Sequence, residues 1–197
     1  MKKNMDKRER ILEATLQLVQ QEGFYHLNMK KVSVASEVAA GTIYLYFKGK
    51  EEIITELYRY VMQLYMTAVL AGQQTETDPV LKIKRMLREY LQFFMGRPDC
   101  FSFAQQYLLS PFRFKDTAMQ VTILAPLLDF ITQAQAQGIV KDLPMEMLLA
   151  LAIEPLNGML NAWRGGTGIT DLHRPERQQQ LLAACWASIA GPAAAGS

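Results

Sequence analysis

Apolar residues recur along the chain at intervals of three and four, and most Gly and Pro residues fall between these runs. That period belongs to helices with one buried face, and no alternating β-branched run or Asn-Gly hairpin competes with it. The first run opens near Lys7, carries Leu12, Leu16 and Val19 on one stripe with Ile11 beside it, and stops at Gly23. Glycine accepts positive φ and so suits the end of a helix. Asn28 is a good N-cap for a short helix from Met29 to Ser36, and a third helix runs from about Ala39 to Tyr46. Only Glu37 to Ala39 separate the two, so they must cross steeply, which is the helix-turn-helix arrangement.

The fourth run, from Lys50 to about Gln74, buries a stripe of Ile54, Leu57, Val61, Leu64, Tyr65 and Ala68. Asp78 as cap and Pro79 at the first position start a fifth helix, which ends at Gly96. Helices near Cys100–Leu109, Asp116–Gln137, Pro144–Trp163 and Pro175–Ala190 follow, with Gly138 closing the seventh and Gly165–Gly168 forming a loop before the last. Pro126 and Pro155 lie inside predicted helices and should kink them. The expected fold is all-α: a three-helix helix-turn-helix domain at 1–49, a roughly six-helix domain at 50–191, and a flexible tail at 192–197. The helix that begins at Lys50 belongs to both halves and should couple their motion.

Composition narrows the class. Half of the 197 residues are hydrophobic, enough for a packed core and too many for a disordered chain. Two cysteines, Cys100 and Cys185, make neither a disulfide framework nor a Cys-rich zinc site. The longest uncharged stretch, Gln178 to Ser197, contains three Gln, two Gly and a Pro and reads as no membrane span. The basic start is not followed by an apolar secretory core, so a soluble, cytoplasmic protein without membrane partners is expected. His26 and His173 have no metal-ligand or catalytic neighbours at a recognisable spacing, so no enzyme, metal or cofactor is expected.

The net charge of +2 arises wholly within the first sixty residues. Asn28 to Lys50 carry Lys30, Lys31, Lys48 and Lys50 against the single acid Glu37. These lysines bracket a helix of small and aromatic residues: Ala39, Ala40, Gly41, Thr42, Tyr44 and Tyr46. Small residues let a backbone enter a major groove, Thr42 and Tyr44 can touch base edges, and lysines neutralise phosphates. From charge alone, a solvated face is the better explanation of the lysines.

From Arg10 to about Leu57 the sequence resembles the amino-terminal domain of the TetR family of bacterial transcriptional regulators. The resemblance rests on ILEAT–L from Ile11, the Gly23-Phe24 pair, and GTIYLYFKGKEEII from Gly41 to Ile54. It implies a recognition helix at about Ala39–Tyr44, with Ala40, Gly41, Thr42 and Tyr44 facing the groove. It also implies that Lys30 reaches a base or phosphate, that Tyr46 and Lys50 hold phosphates, and that Ile43 and Phe47 lie in the core. Lys48 is assigned to phosphate with the other flanking lysines. Two positions depart from the family pattern. Glu37 stands where the turn usually has Gly, at a cost of roughly 1–2 kcal/mol if it is left-handed, and Ser33 replaces the customary Ala. A carboxylate facing phosphates also repels them, so a dimeric small-molecule-binding or adaptor protein with weakened or lost DNA binding is the competing reading.

The carboxyl-terminal helices are rich in Met and aromatics, including Phe93, Phe94, Phe101, Phe103, Tyr107, Phe112, Phe114, Phe130 and Trp163. Each one singly reads as core; together they suit a pocket for a hydrophobic or aromatic effector. Candidate ligand residues are Phe94, Phe103, Tyr107, Asp129, Glu154, Asn157 and Trp163, the carboxylates being polar positions within apolar helices. The last two helices carry more apolar residues than their own core needs, from Met147 to Leu160 and from Leu181 to Ile189. A homodimer through these helices, reading a roughly palindromic duplex operator, is the expected assembly. The function expected is a ligand-responsive repressor.

Overall fold

The computed structural model describes residues 6–71, 76–114, 117–166 and 171–194. The expected helix end near Gln74, the start at Asp116, residues Thr167 and Gly168 of the glycine loop, the Phe114 side chain and residues 195–197 lie outside that description. Among the described residues the chain forms α1 (Lys7–Glu22), α2 (Met29–Ser36), α3 (Ala40–Tyr46), α4 (Lys50–Leu70), α5 (Pro79–Gly96), α6 (Pro98–Leu108), α7 (Thr117–Ala136), α8 (Met145–Arg164) and α9 (Pro175–Ile189). Short 3₁₀ turns at Phe24–His26, Pro111–Phe114 and Pro192–Ala194 complete it, together with one antiparallel bridge between Val140 and Ala190.

Caps set most of the boundaries. The Asn28 side chain accepts from the Lys31 amide at 2.9 Å, and Asp78 accepts from Val80 and Leu81 at 2.8 and 3.4 Å. Gly23 (φ 79°) and Gly138 (φ 70°) end α1 and α7 in conformations that a Cβ would resist. The sixth helix starts at Pro98 rather than Cys100, because proline at the first position needs no amide partner. Both α7 and α8 continue through their internal prolines.

By packing, the chain forms two compact units: residues 1–64 with 97–123, and residues 65–96 with 124–197. In the first unit, Ile11, Leu12, Leu16 and Val19 of α1 are buried with Val32, Ile43 and Phe47, as are Ile53, Ile54 and Leu57 of α4. Helix α6 lies against α1 and adds Phe101, Phe103 and Tyr107 to this core. A polar clasp ties the two helices. Arg97 bonds both oxygens of Glu13 at 3.1 and 3.2 Å and also Asp99 at 3.0 Å, while Gln17 donates to Asp99 at 2.9 Å. Tyr60 of α4 donates to Glu13 at 2.6 Å. Burial pushes the Asp99 carboxyl up, but the Arg97 hydrogen bond, the Cys100 amide and the guanidinium charge outweigh it and hold it below the ordinary value. Burial pushes the neighbouring Cys100 thiol up to about 12.

In the second unit, Ile83 and Leu87 of α5 pack with Leu148, Ala152 and Leu156 of α8 and with Cys185 and Ile189 of α9. Residues 192–194, which the sequence expectation gave to a flexible tail, form a 3₁₀ turn (Pro192–Ala194) in the structure. Gly191 donates to the Ile139 carbonyl at 2.8 Å and Ala193 to the Gly138 carbonyl at 3.0 Å, so the turn after α7 supplies the partners that sequence composition hides. A Cβ on Gly191 would sit 2.3 Å from the Gly138 carbonyl oxygen. Gly191→Ala should therefore prise this clamp apart and cost about 1–3 kcal/mol. The measurement is chemical denaturation with amide exchange at Lys141; an unchanged midpoint would show that the clamp yields freely.

Candidate nucleic-acid interface

The turn between α2 and α3 positions everything that follows. Glu37 is the one non-glycine residue with positive φ among the described residues (φ 54°, ψ 34°), the left-handed conformation that the missing glycine would have adopted freely. Its neighbours offset the strain. The Ser33 hydroxyl, the second departure from the family pattern, donates to the Val38 carbonyl at 2.7 Å and closes the turn. Arg10 donates to the Ser36 carbonyl at 3.0 Å and reaches the Glu37 carboxylate at 3.8 Å. The carboxylate remains 85% exposed, so Arg10 screens it only in part. Glu37→Gly should stabilise the fold by about 1 kcal/mol and tighten duplex binding. A lower melting temperature would show that Arg10 and Ser33 more than compensate.

On α3 the buried side is Ile43, followed by the buried Phe47 at its end. The opposite side is open: Ala40, Gly41 and Tyr44 are exposed, with Thr42 half-buried at the edge. A Cβ on Gly41 would meet nothing within 4 Å, so no neighbour inside the fold requires glycine there. Leu45 is 84% exposed on this face and escaped the sequence reading; it lies two residues, about 200°, from Ile43. Tyr25 (86% exposed) and Val34 (74%) are further apolar groups left in solvent within this unit. Exposed apolar groups on α3 suit contact with base edges and thymine methyls.

The lysines surround this face in different states. Lys30 and Lys48 are exposed, and the Lys48 amide bonds the Glu52 carboxylate in the first turn of α4. Lys50 is half-buried and donates to the Tyr25 carbonyl at 3.2 Å, tying α4 to the 3₁₀ turn after α1. Lys31 pairs with Glu22. Tyr46 is partly exposed beside Phe47.

The effector candidates fall in several places. Phe94 stacks on Tyr65 and meets Tyr90 edge-on at 4.8 Å. Tyr90 donates to Asn157 at 2.6 Å, and Asn157 donates to Glu154 at 3.2 Å, so three of the candidates join one cluster through Tyr90. Asp129 is exposed on α7, and Trp163 packs edge-on against His173. Phe103 and Tyr107 belong to the core of the first unit, beside Phe24 and stacked on Tyr58. The second unit also holds an apolar cavity of about 60 Å³ lined by Tyr65, Ile83, Met86, Leu127, Ile131 and Leu148. Among the described residues, no group of three or more His, Cys, Asp or Glu is placed to hold a metal ion, and no helix is long and apolar enough to cross a membrane.

The chain is similar to known proteins. Residues 11–57 match the bacterial regulatory proteins of the tetR family, and residues 81–190 match the tetracyclin repressor-like C-terminal domain. An HTH-type transcriptional regulator of Haemophilus influenzae is 30% identical over 185 residues, covering 93% of this chain and 96% of that one. A TetR family transcription regulator from Marinobacter aquaeolei has the same fold, with a TM-score of 0.85 at 22% identity over 94% of this chain and 96% of that one. FadR from Bacillus subtilis, in complex with stearoyl-CoA, gives a TM-score of 0.75 at 20% identity over 91% and 98%. Matched along both its amino- and carboxyl-terminal parts, the chain belongs to the TetR family of DNA-binding bacterial transcriptional regulators.

Proposed function

We propose that the protein is a cytoplasmic, homodimeric repressor, released from a palindromic operator by an apolar effector, and that it has no catalytic role. The observation that carries the effector reading is Tyr65. It lies on α4 and also lines the cavity of the second unit, so a molecule entering there touches the helix that begins beside the DNA-contacting lysines. At about 60 Å³ the cavity is far below the roughly 300–1,000 Å³ of a drug-sized site. An effector therefore enters only if the surrounding helices shift, and binding and conformational change become one event. The lining is aliphatic but for Tyr65, which favours a hydrocarbon chain; the stearoyl-CoA complex of the Bacillus subtilis neighbour supports the same class. Tenfold release needs about 1.4 kcal/mol of differential affinity. Dimerisation uses the open face of α8, where Met147 and Leu151 are exposed, with Ala184 and Ala187 of α9.

The test is selection of duplexes from a random library, followed by anisotropy across a salt series. A palindromic site holding two subunits is expected. Tyr44→Ala should remove about 1–3 kcal/mol of preference at the base it reads, whereas Lys48→Ala should weaken all duplexes alike and lower the salt slope by about one. Equal effects of both on every sequence would remove Tyr44 from base reading. The exposed Glu37 carboxylate supports a second reading, an adaptor that has lost DNA binding. A wild-type protein that selects no duplex, beside a Glu37→Gly protein that does, would establish it.

A further inference from the structure

A groove of about 590 Å³ runs between α5 and α9 in the second unit. Its α5 wall presents Lys84, Arg85 and Arg88, and its α9 wall presents Gln179, Ala183 and Trp186; among the described residues the one carboxylate lining it is Glu76. Arg85 shares its charge with Glu89 at 3.8 Å. Lys84 and Arg88 form no ion pair among the described residues; Lys84 instead lies over the Trp186 ring, 5.5 Å from its centroid. Lys84 and Arg88, exposed and one helical turn apart, and the half-buried indole under Lys84 put positive charge and an aromatic ring in one concave place.

We propose that this groove binds a nucleoside diphosphate or triphosphate. Lys84 and Arg88 would take the phosphates, Arg88 with the bidentate geometry that guanidinium offers. Trp186 would stack the base, and Gln179, exposed two helical turns away on the same wall, would meet polar groups of the nucleotide. The size is within the usual range for a small-molecule site, about 300–1,000 Å³. The site is distinct from the apolar cavity. Leu81, Lys84, Arg85 and Arg88 line the groove, while Ile83, Met86 and Leu87 of the same helix line the cavity. On α9, the groove residues Gln179, Ala183 and Trp186 are turned about 100° from Gln180, Ala184 and Ala187, so dimerisation through the latter leaves the groove open. Helix α5 is thus a shared wall through which an anionic nucleotide and an apolar effector can each sense the other.

The experiment titrates the full chain, carrying Trp163→Phe so that Trp186 is the sole tryptophan, with ADP, adenosine and pyrophosphate, following indole fluorescence. Saturable quenching by ADP below about 1 mM is expected, weakening as salt rises. Adenosine and pyrophosphate should each bind at least tenfold more weakly than ADP. A Lys84→Gln, Arg88→Gln protein should melt like its parent and lose tenfold or more in ADP affinity. Calorimetry on the unsubstituted protein repeats the comparison independently of Trp163. Absence of saturation, equal affinity in the doubly substituted protein, or pyrophosphate binding as tightly as ADP would each overturn the assignment.

Discussion

Replacing Arg97 with methionine should lower stability by about 3 kcal/mol, the low end for breaking a buried ion pair because the guanidinium keeps 31% exposure. Methionine fills much of the volume, so the loss reports charge. Asp99, with its side chain only 7% exposed, would keep Gln17 and the Cys100 amide but lose its cation. Burial would then dominate and raise the Asp99 pKa above its unfolded value. The sign of the pH dependence follows. In the natural protein Asp99 is held below its ordinary value, so its contribution is present above the unfolded pKa and lost as pH falls through the folded one. In the variant the shift is reversed, and acidification toward pH about 5 should recover part of the deficit. Urea unfolding at pH 7 and pH 5 checks this; a deficit that is the same at both would remove the buried carboxylate as its cause. Arg97→Met with Asp99→Asn should be less destabilised at neutral pH than Arg97→Met alone.

Phe103→Ala should cost about 3–5 kcal/mol. The ring is fully buried, 5.3 Å from Phe24 and 5.9 Å from Tyr107, and α6 and α1 leave little room for collapse. Phe24 directly follows α1, so duplex binding at physiological temperature should fall with folding rather than through any contact to DNA. An effector-binding role for Phe103 demands the opposite: a protein that melts normally and binds its operator but ignores the effector. Thermal melting together with duplex affinity at a low temperature separates the two, and a normal melt would return Phe103 to the effector site.

These two residues show where sequence reasoning reached its limit. Helix ends are local matters, and Asn28, Asp78 with Pro79, Gly23 and Gly138 announce them through side chains or φ values that act within three or four residues. The left-handed turn at Glu37 was legible for the same reason, since the family pattern marks the position. Periodicity identifies an apolar face but not the body it joins, so Phe103 and Tyr107 were grouped with Phe94 although they serve another core. The clasp was invisible because Arg97 and Glu13 are 84 positions apart. The hydrogen bond of Tyr90 to Asn157 spans 67 positions, and only folding reveals Gly138 as the reason for Gly191. Leu45 was missed for a different reason: an exposed leucine carries no polar signal, and only its angle from Ile43 gives it away.

The empty surroundings of Gly41 have a consequence for how such a regulator can change its target. Most substitutions on a small domain are filtered twice, first by whether the protein folds and then by what it binds. At Gly41 the first filter is open to a small side chain, since a Cβ there has nothing within 4 Å. Alanine should even strengthen α3 by about 1 kcal/mol relative to glycine. Where α3 enters the groove as proposed, variation at this position is judged mainly by the duplex. A lineage could move between operators through single steps at residue 41, each of them already stable enough to persist before a new target exists.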